Sequence, residues 1–315
     1  MVNVLIVGNG IHANKRILPS LKNLEVVNSI SILDRNVEIE KQLNDTIKIM
    51  PYAEIRGAES IYDLGIIATP PYNHLQSYEL IVDKCQTVLI EKPLTNKLDT
   101  EWRKSVKDKL EKNELIEALM YFHHPLWKKI LNIVESKNIV EINTKFSVPH
   151  LPEDSYRYSS SKGGGSLFDQ GIYPISFAQQ LIKRNYEIKS IETKSEKGYE
   201  VDLSGKISIN IDDNITFNGS WGLGFEYNNY ANFKDLDGNI YEIDFVYSKP
   251  DLTNSKIFVT KDGSKEEVEI GIHDQFQNMY LDAINKNFYA FEYSNFNNFN
   301  LRHILLEEVR KTIKL

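Results

Sequence analysis

Cysteine is almost absent from this sequence, since Cys85 is the one cysteine in 315 residues. A single thiol excludes an internal disulfide and a zinc site made of several cysteines. It fits a reducing compartment, so we expect a cytoplasmic protein. Long apolar runs are also missing, and we therefore expect no segment that spans a membrane. The first apolar residues lead into a glycine turn instead of a cleavage site, which argues against a signal peptide.

Positive charge is also in short supply. The chain has 37 Lys and Arg against 44 Asp and Glu, a formal net charge of -7, and no basic block. Nucleic acids and acidic lipid surfaces bind clusters of basic side chains, so we expect neither as a partner. A length of 315 residues exceeds what one compact domain usually holds and predicts two domains.

The first part of the chain alternates apolar runs with helix-length segments. The predicted strands are residues 2–7, 26–33, 64–68, 87–90 and 115–120, and the predicted helices are 11–21, 73–84 and roughly 99–112. Continuous apolar, β-branched runs are typical of strands buried on both faces. Strands separated by helices form βαβ units and a parallel sheet, whose ligands bind beyond the carboxyl ends of the strands.

The second part reads differently, with strands that follow one another across short turns. The predicted strands are residues 141–148, 188–193, 201–211, 215–221, 230–234, 240–245 and 256–260, and helices are predicted over 272–286 and 300–314. Asp237-Gly238 and Asp262-Gly263 are typical hairpin turns. The fold class is therefore α/β followed by α+β: a parallel-sheet domain over residues 1–121, then a domain with a large, mostly antiparallel open sheet over 122–315.

A glycine pattern follows the first predicted strand. Gly8, Gly10 and Ala13 form G-x-G-x-x-A, in which Gly8 allows a tight turn and Gly10 lets backbone amides approach a pyrophosphate at a helix N-terminus. Ala13 lets that helix pack closely on the strand. The alternative is an ordinary strand–helix turn, but the position after the first strand favours a dinucleotide site.

Asp34 and Arg35 end the second predicted strand. A carboxylate there accepts hydrogen bonds from the adenosine ribose and repels a 2′-phosphate, which favours NAD over NADP. Arg35 favours NADP instead, because a guanidinium can pair with that phosphate. Both residues could also be ordinary polar turn residues.

Two clusters carry candidate catalytic groups. Glu91-Lys92-Pro93 follows a buried strand, and Lys92 is either an active-site cation or a surface lysine. Residues 163–173 contain three consecutive glycines, Asp169 and Tyr173. Asp169 and Tyr173 are four apart, so they share a face if this segment is helical. The alternative is a flexible glycine loop followed by a core tyrosine.

These residues together resemble the Gfo/Idh/MocA oxidoreductase family over nearly the full length. The matching segments are residues 8–13, 68–71 with His74, 91–93, 117–121 with His124-Pro125, and 163–173. The resemblance implies a Rossmann domain, a second domain whose open sheet often forms a homodimer or homotetramer interface, and active-site roles for Lys92 and Asp169. Tyr173 is histidine in many members and tyrosine in the branch that resembles glucose–fructose oxidoreductase and dimeric dihydrodiol dehydrogenase. One departure is Phe122, which replaces the usual arginine.

The candidate cofactor-binding residues all lie at or just beyond the carboxyl ends of predicted strands: Gly8, Gly10, Ile11, His12, Asp34, Arg35, Thr69, Pro70, Pro71, His74, Glu91 and Lys92. We expect NAD or NADP as the cofactor. Adjacent His123 and His124 point in different directions and have no carboxylate at ligand spacing, so we expect no metal.

The expected reaction moves a hydride between the nicotinamide and a carbon of a sugar, nucleotide sugar or polyol. A proton must also move at the oxygen of that carbon. Tyr173 is the predicted proton donor and acceptor, Lys92 binds the oxygen and tunes the phenol, and Asp169 orients hydroxyls or Lys92. The residue types also allow Lys92 itself to be the acid/base. Two other functions stay open: a catalytically silent NAD(P)-binding regulator or scaffold, and a reductase of a non-sugar carbonyl or dihydrodiol, which Phe122 favours.

Overall fold

The computed structural model describes residues 1–57, 61–96, 103–104, 106–112, 114–250 and 253–314. The chain divides into two compact units: Met1–Met120 with Gln275–Asn297, and Tyr121–Asp274 with Asn298–Leu315. The sequence pattern predicts one second domain over 122–315, whereas the structure assigns Gln275–Asn297 to the first unit. Hydrogen bonds explain this assignment, because Glu117 N donates to Ser294 Oγ at 2.9 Å and Tyr293 OH donates to Glu117 O at 3.0 Å.

The first unit contains the predicted parallel sheet. Its strands are β1 (Val2–Val7), β2 (Val27–Leu33), β3 (Lys41–Asn44), β4 (Ile47–Met50), β5 (Tyr62–Ile67), β6 (Cys85–Glu91) and β7 (Leu115–Ala118). Their order is β3-β4-β2-β1-β5-β6-β7, and neighbouring strands are parallel except β3 with β4. Val7 pairs with both Leu33 and Ile67, so the strands end together and their following loops share one edge.

Two strands at the edge of this sheet are missing from the sequence prediction. β3 is fully exposed, and β4 has only four residues, so neither shows the apolar run that marks the central strands. In contrast, the last four residues of β1 are completely buried, as the continuous apolar run predicts.

The second unit contains the large open sheet. Its strands are β8 (Ile139–Val148), β9 (Tyr186–Ser195), β10 (Asp202–Ile211), β11 (Ile215–Leu223), β12 (Asn228–Asp235), β13 (Ile240–Asp244), β14 (Asn254–Lys261) and β15 (Ser264–Ile272). Their order is β15-β14-β13-β12-β8-β11-β10-β9, with β8 and β11 as the parallel pair in an otherwise antiparallel arrangement. β15 is missing from the prediction because it is a charged, exposed edge strand, which hides the alternation that marks a half-buried strand.

The helices are α1 (Leu18–Lys22), α2 (Tyr52–Gly57), α3 (His74–Ile81), α4 (Lys107–Glu111), α5 (Pro125–Ser136), α6 (Ile172–Leu181), α7 (Gln275–Ile284) and α8 (Phe296–Arg310). Part of the predicted helix over 99–112 lies outside the described residues. Within the described ranges, no helix is both long and apolar enough to cross a bilayer.

Trp221 on β11 joins the second sheet to the segment that carries the candidate catalytic residues. Its side chain is 2% exposed. Gly205 pairs with Trp221 across β10 and β11, and the indole occupies the space where a Cβ of Gly205 would lie. On its other side the ring lies 2.9 Å from the position of a Cβ at Gly171. Both glycines are therefore required by the size of this one side chain.

We expect Gly205→Ala to destabilise the protein by about 1–3 kcal/mol, because the new methyl group overlaps the indole. Thermal and denaturant unfolding measure the change. Gly57→Ala is the control, since a Cβ at Gly57 meets no atom within 4 Å. On a Trp221→Phe background the cost of Gly205→Ala should shrink; an equal cost on both backgrounds would rule out the indole as its cause.

Candidate active site

The turn after β1 needs glycine at its first position for reasons within the protein itself. Gly8 has φ +105°, and its N–H donates to Leu33 O at 3.0 Å. A Cβ at Gly8 would lie 3.2 Å from the backbone of Ala68 and Thr69, the loop that follows β5. A larger residue would therefore strain the turn and push apart two neighbouring strand ends.

Gly10 differs from Gly8, because a Cβ there would meet no protein atom within 4 Å. The turn borders a cavity lined by Gly8, Asn9, Gly10, Asp34, Arg35, Asn36, Tyr52, Ala68, Thr69, Pro70 and Asn73. Backbone amides, a glycine open to the cavity and polar strand-end residues fit the phosphates and ribose of a dinucleotide. Of the other predicted cofactor residues, Ile11 is 77% exposed, and His12, Pro71, His74, Glu91 and Lys92 lie outside this lining.

Asparagines that the sequence patterns do not single out hold the turn in place. Asn14 Nδ2 donates to Asn9 O at 3.1 Å, to Asn9 Oδ1 at 2.9 Å and to Gly10 O at 3.0 Å. Asn9 Nδ2 in turn donates to Asp34 Oδ2 at 3.1 Å. Asp34 also accepts from Asn36 N at 2.9 Å through Oδ1. The carboxylate of Asp34 is thus fixed at the cavity by contacts on both of its oxygens.

The helix after the glycine turn is wider than a regular α-helix. Residues Ala13–Ile17 form a π-helical turn before α1, and Pro19 follows two residues later. Proline has no N–H and crowds the carbonyl four residues earlier, which here is Lys15 inside the π turn. A widened turn relieves this conflict, and such turns often occur at functional sites.

A buried carboxylate precedes the candidate catalytic lysine. His12 Nε2 donates to Glu91 Oε1 at 3.0 Å, and the exposed fractions of the two side chains are 41% and 12%. Burial alone would raise the pKa of Glu91, but the charges of His12, Lys92 and His74 and the hydrogen bond from His12 hold it below its ordinary value. Glu91 therefore stays ionised beside Lys92.

His74 ties the loop after β5 to the loop after β6. Its Nε2 lies 2.8 Å from Thr69 O, and its Nδ1 lies 2.9 Å from Pro93 O and 3.3 Å from Leu94 O. Burial lowers the pKa of His74 in spite of these carbonyls. Lys92 is half-buried, and the peptide bond that joins it to Pro93 is cis.

In the second unit, the three glycines bring two chain segments into close contact. Gly163 has φ +71° and Gly165 has φ +110°. A Cβ at Gly164 would lie 2.5 Å from Arg157 O, and a Cβ at Gly165 would overlap the carboxylate of Asp202. The glycine run is thus a tightly packed turn, and the alternative of a flexible loop is not what the structure shows.

Arg157 is the main residue that the sequence patterns miss. Its Nε donates to Asp169 Oδ2 at 2.5 Å, and Gln170 Nε2 donates to the same oxygen at 2.7 Å. Burial tends to lower the pKa of Arg157, but Asp169, Tyr156 and Tyr173 hold it above its ordinary value. A permanent cation therefore lies in contact with Asp169. The only signal in the sequence is a lone arginine six residues before the glycine run.

Tyr173 lies on α6 and is 3% exposed. Aromatic rings surround it, with centroid distances of 4.9 Å to Phe146, 5.3 Å to Tyr247 and 5.9 Å to Tyr121. Asp169 belongs to a π-helical turn, Leu167–Gly171, which precedes α6 and its Pro174 as the first π turn precedes Pro19. The rings exclude water from the phenol and fix its orientation.

Phe122 and His124 have structural roles. The Phe122 ring packs 4.7 Å from Trp127, centroid to centroid, and is 8% exposed. His124 Nδ1 accepts from Leu126 N at 3.1 Å and caps α5, and burial lowers its pKa to about 3. Within the residues that the structure describes, no group of three or more histidine, cysteine or carboxylate side chains could hold a metal ion.

We expect Gly10→Ala to weaken dinucleotide binding at least about tenfold without lowering the melting temperature, because the methyl group meets ligand and not protein. NADH and NADPH fluorescence titrations and thermal unfolding measure the two effects. Gly8→Ala is the matched variant, and it should lower both binding and stability. Unchanged affinity of Gly10→Ala would show that the dinucleotide lies elsewhere.

Proteins of known activity are similar to this chain. A dTDP-3,4-didehydro-2,6-dideoxy-alpha-D-glucose 3-reductase from Actinomadura kijaniata is 23% identical over 281 residues, which is 87% of this chain and 84% of the relative. A D-xylose 1-dehydrogenase (NADP(+)) from Haloferax volcanii is 32% identical over 131 residues, 40% of this chain and 39% of that protein. The crystal structure of a 3-ketoreductase from Actinomadura kijaniata in complex with NADP and TDP-benzene has a TM-score of 0.84 at 20% identity, covering 99% of this chain and 97% of that one.

The structural likeness establishes the shared fold, and sequence profiles establish the family. The profile of an oxidoreductase family with an NAD-binding Rossmann fold matches residues 2–122. The profile of the GFO/IDH/MocA C-terminal domain matches residues 133–247. The preference for NAD is not established, because these matches support an NAD(P) site without choosing between the two cofactors. The chain belongs to the Gfo/Idh/MocA family of oxidoreductases.

Proposed function

We propose that this chain is an NAD(P)-dependent oxidoreductase that moves a hydride between the nicotinamide and a CH–OH or C=O carbon of a sugar, nucleotide sugar or polyol. The observation that carries the proposal is the position of Lys92 at the carboxyl end of β6, with its loop tied through His74 to Thr69 at the dinucleotide cavity. The names of the two relatives, a nucleotide-sugar 3-reductase and a xylose dehydrogenase, support the class of substrate.

The residues of the first unit would hold the cofactor. Backbone amides of the Gly8–Gly10 turn would bind the pyrophosphate, and Asp34 with its neighbours would bind the adenosine ribose. A bound NAD(P) supplies or accepts the hydride at its nicotinamide carbon. Lys92 would donate a hydrogen bond to the reacting oxygen of the substrate, which stabilises negative charge there as the hydride moves.

The residues of the second unit would handle the proton and the substrate. Tyr173 would give a proton to that oxygen or take one from it, and the aromatic rings around it keep bulk water away. A tyrosine titrates at about 10 in water, so a neighbouring positive charge is needed to make its proton mobile near neutral pH. Asp169, held by Arg157 and Gln170, would orient a neighbouring hydroxyl of the substrate.

We expect Lys92→Met and Tyr173→Phe each to lower kcat/KM at least about a hundredfold, because each removes a group that acts on the reacting oxygen. The measurement is steady-state absorbance of NAD(P)H with a panel of sugars, nucleotide sugars and polyols. Lys22→Met, an exposed lysine at the end of α1, is the control for lost charge. Lys92→Met that keeps more than a tenth of wild-type activity would exclude the lysine. Cofactor binding without turnover of any compound would favour the silent regulator.

We further propose that NAD is preferred over NADP. Asp34 supports this preference, since both its oxygens are fixed at the cavity and its negative charge would repel a 2′-phosphate. Arg35 lines the same cavity and opposes the preference. The similar 3-ketoreductase structure contains NADP, and the similar D-xylose 1-dehydrogenase is named for NADP(+). The balance of these two opposite charges decides the specificity.

The cofactor preference has a direct test. We expect kcat/KM to be higher with NADH than with NADPH, and Asp34→Ser to raise the NADPH/NADH ratio at least about tenfold by removing the repulsion. Arg35→Ser is the matched variant, and it should lower the ratio. A wild-type enzyme that prefers NADPH tenfold or more would reverse the proposal. Assembly as a homodimer or homotetramer stays a prediction from the family resemblance.

A further inference from the structure

Arg157 has donors left after it has bound Asp169. Only Nε of the guanidinium is used in the hydrogen bond to Asp169 Oδ2. Within the part of the chain that the structure describes, the two terminal nitrogens donate to no side chain or carbonyl, and 32% of the side chain is exposed. Four N–H groups in the plane of the guanidinium are thus open to a ligand beside Asp169.

The backbone around Arg157 is built to fix this position. Arg157 O accepts from Gly165 N at 2.9 Å, and a Cβ at Gly164 would lie 2.5 Å from the same carbonyl oxygen. Ser155 Oγ accepts from Arg157 N at 3.4 Å, which closes the turn from the other side. The guanidinium also lies over the Tyr156 ring, with its Cζ 4.7 Å from the centroid. An arginine held at backbone and side chain loses little conformational freedom when it binds a ligand.

The charges beside this arginine indicate what kind of ligand it binds. Asp169 already offsets the positive charge of the guanidinium, so a phosphate or carboxylate would gain little Coulomb energy and would lie close to a carboxylate. Hydroxyl and carbonyl oxygens accept from N–H groups without that repulsion, and a hydroxyl can also donate to a carboxylate. Adjacent donors and acceptors of this kind match the neighbouring oxygens of a sugar ring.

We propose that the terminal nitrogens of Arg157 bind ring hydroxyl or carbonyl oxygens of the sugar substrate, so that Arg157 and Asp169 together determine specificity for a polyhydroxyl ring. The proposal rests on the proposed function, because it names the substrate contacts of the same site. Phe122 is buried against Trp127 and has no polar atom, so it can offer no hydrogen bond to a sugar oxygen.

The test measures sugar binding without turnover. D-xylose, D-glucose and myo-inositol are titrated into the protein loaded with NAD+ or NADP+ at low temperature, and affinities are read from ligand-observed NMR and calorimetry. We expect the wild type to bind at least one of the three. Arg157→Met should weaken that binding at least about tenfold. Arg157→Lys keeps the charge and loses the planar guanidinium, so its sugar affinity should lie between those of the wild type and Arg157→Met.

The controls separate this proposal from a loss of fold and from the proposed function. Arg184→Met removes an exposed arginine of the same unit, and its sugar affinity should equal that of the wild type. Dinucleotide affinity and melting temperature should be unchanged in Arg157→Lys. Equal sugar affinity of Arg157→Met and wild type, or no sugar bound by the wild type, would overturn the proposal.

Two further outcomes are informative. Displacement of the bound sugar by inorganic phosphate in the wild type but not in Arg157→Met would overturn the sugar assignment in favour of an anion site. Sugar binding that depends on Arg157 without any turnover would support this proposal and contradict the proposed function. Turnover that is insensitive to Arg157→Met would support the proposed function and contradict the assignment of Arg157 to the sugar.

Discussion

The close approach of the loops after β1 and β5 is the constraint on which the first unit depends. A Cβ at Gly8 would lie 3.2 Å from the backbone of Ala68 and Thr69, so the two strand ends meet only if this residue has no side chain. The contact brings the glycine turn, Asp34 and Thr69 around one cavity. His74 extends the arrangement by one strand, because it joins Thr69 to the loop that carries Lys92. The absence of a side chain at Gly8 therefore allows the loops after β1 and β5 to lie close together.

The second unit uses the same principle with different residues. Gly164 and Gly165 let the chain pass close to Arg157 and Asp202, and Gly171 leaves room for the Trp221 ring. Gly164 allows the backbone of Arg157 to approach, which places the guanidinium beside Asp169. Gly171 allows the π-helical turn that contains Asp169 to pack on the indole of Trp221. The aromatic rings around Tyr173 complete the arrangement by restricting the phenol to one orientation. Packing within the protein thus explains Gly164, Gly165 and Gly171.

Proline shapes both helices that begin at candidate sites. Pro19 and Pro174 each follow a π-helical turn, and each would crowd a carbonyl that lies inside that turn. The widening changes which side chains share a face, so the spacing of four between Asp169 and Tyr173 is not that of a regular α-helix. The contact that holds Asp169 comes from Arg157, which lies outside the helix, and does not depend on helical periodicity.

The sequence by itself determined the architecture, because local signals encode it. Continuous apolar runs identified the central parallel strands, and hairpin turns identified most of the antiparallel sheet. The edge strands β3 and β15 escaped detection, since exposed strands carry no such pattern. The motifs also singled out Gly8, Gly10, Lys92, Asp169 and Tyr173 as candidate site residues. Tertiary structure alone decided the roles of Asn14, His74 and Arg157, and the assignment of Gln275–Asn297 to the first unit. Their partners are distant in sequence or follow no periodic spacing, and only the folded chain brings a donor to its acceptor.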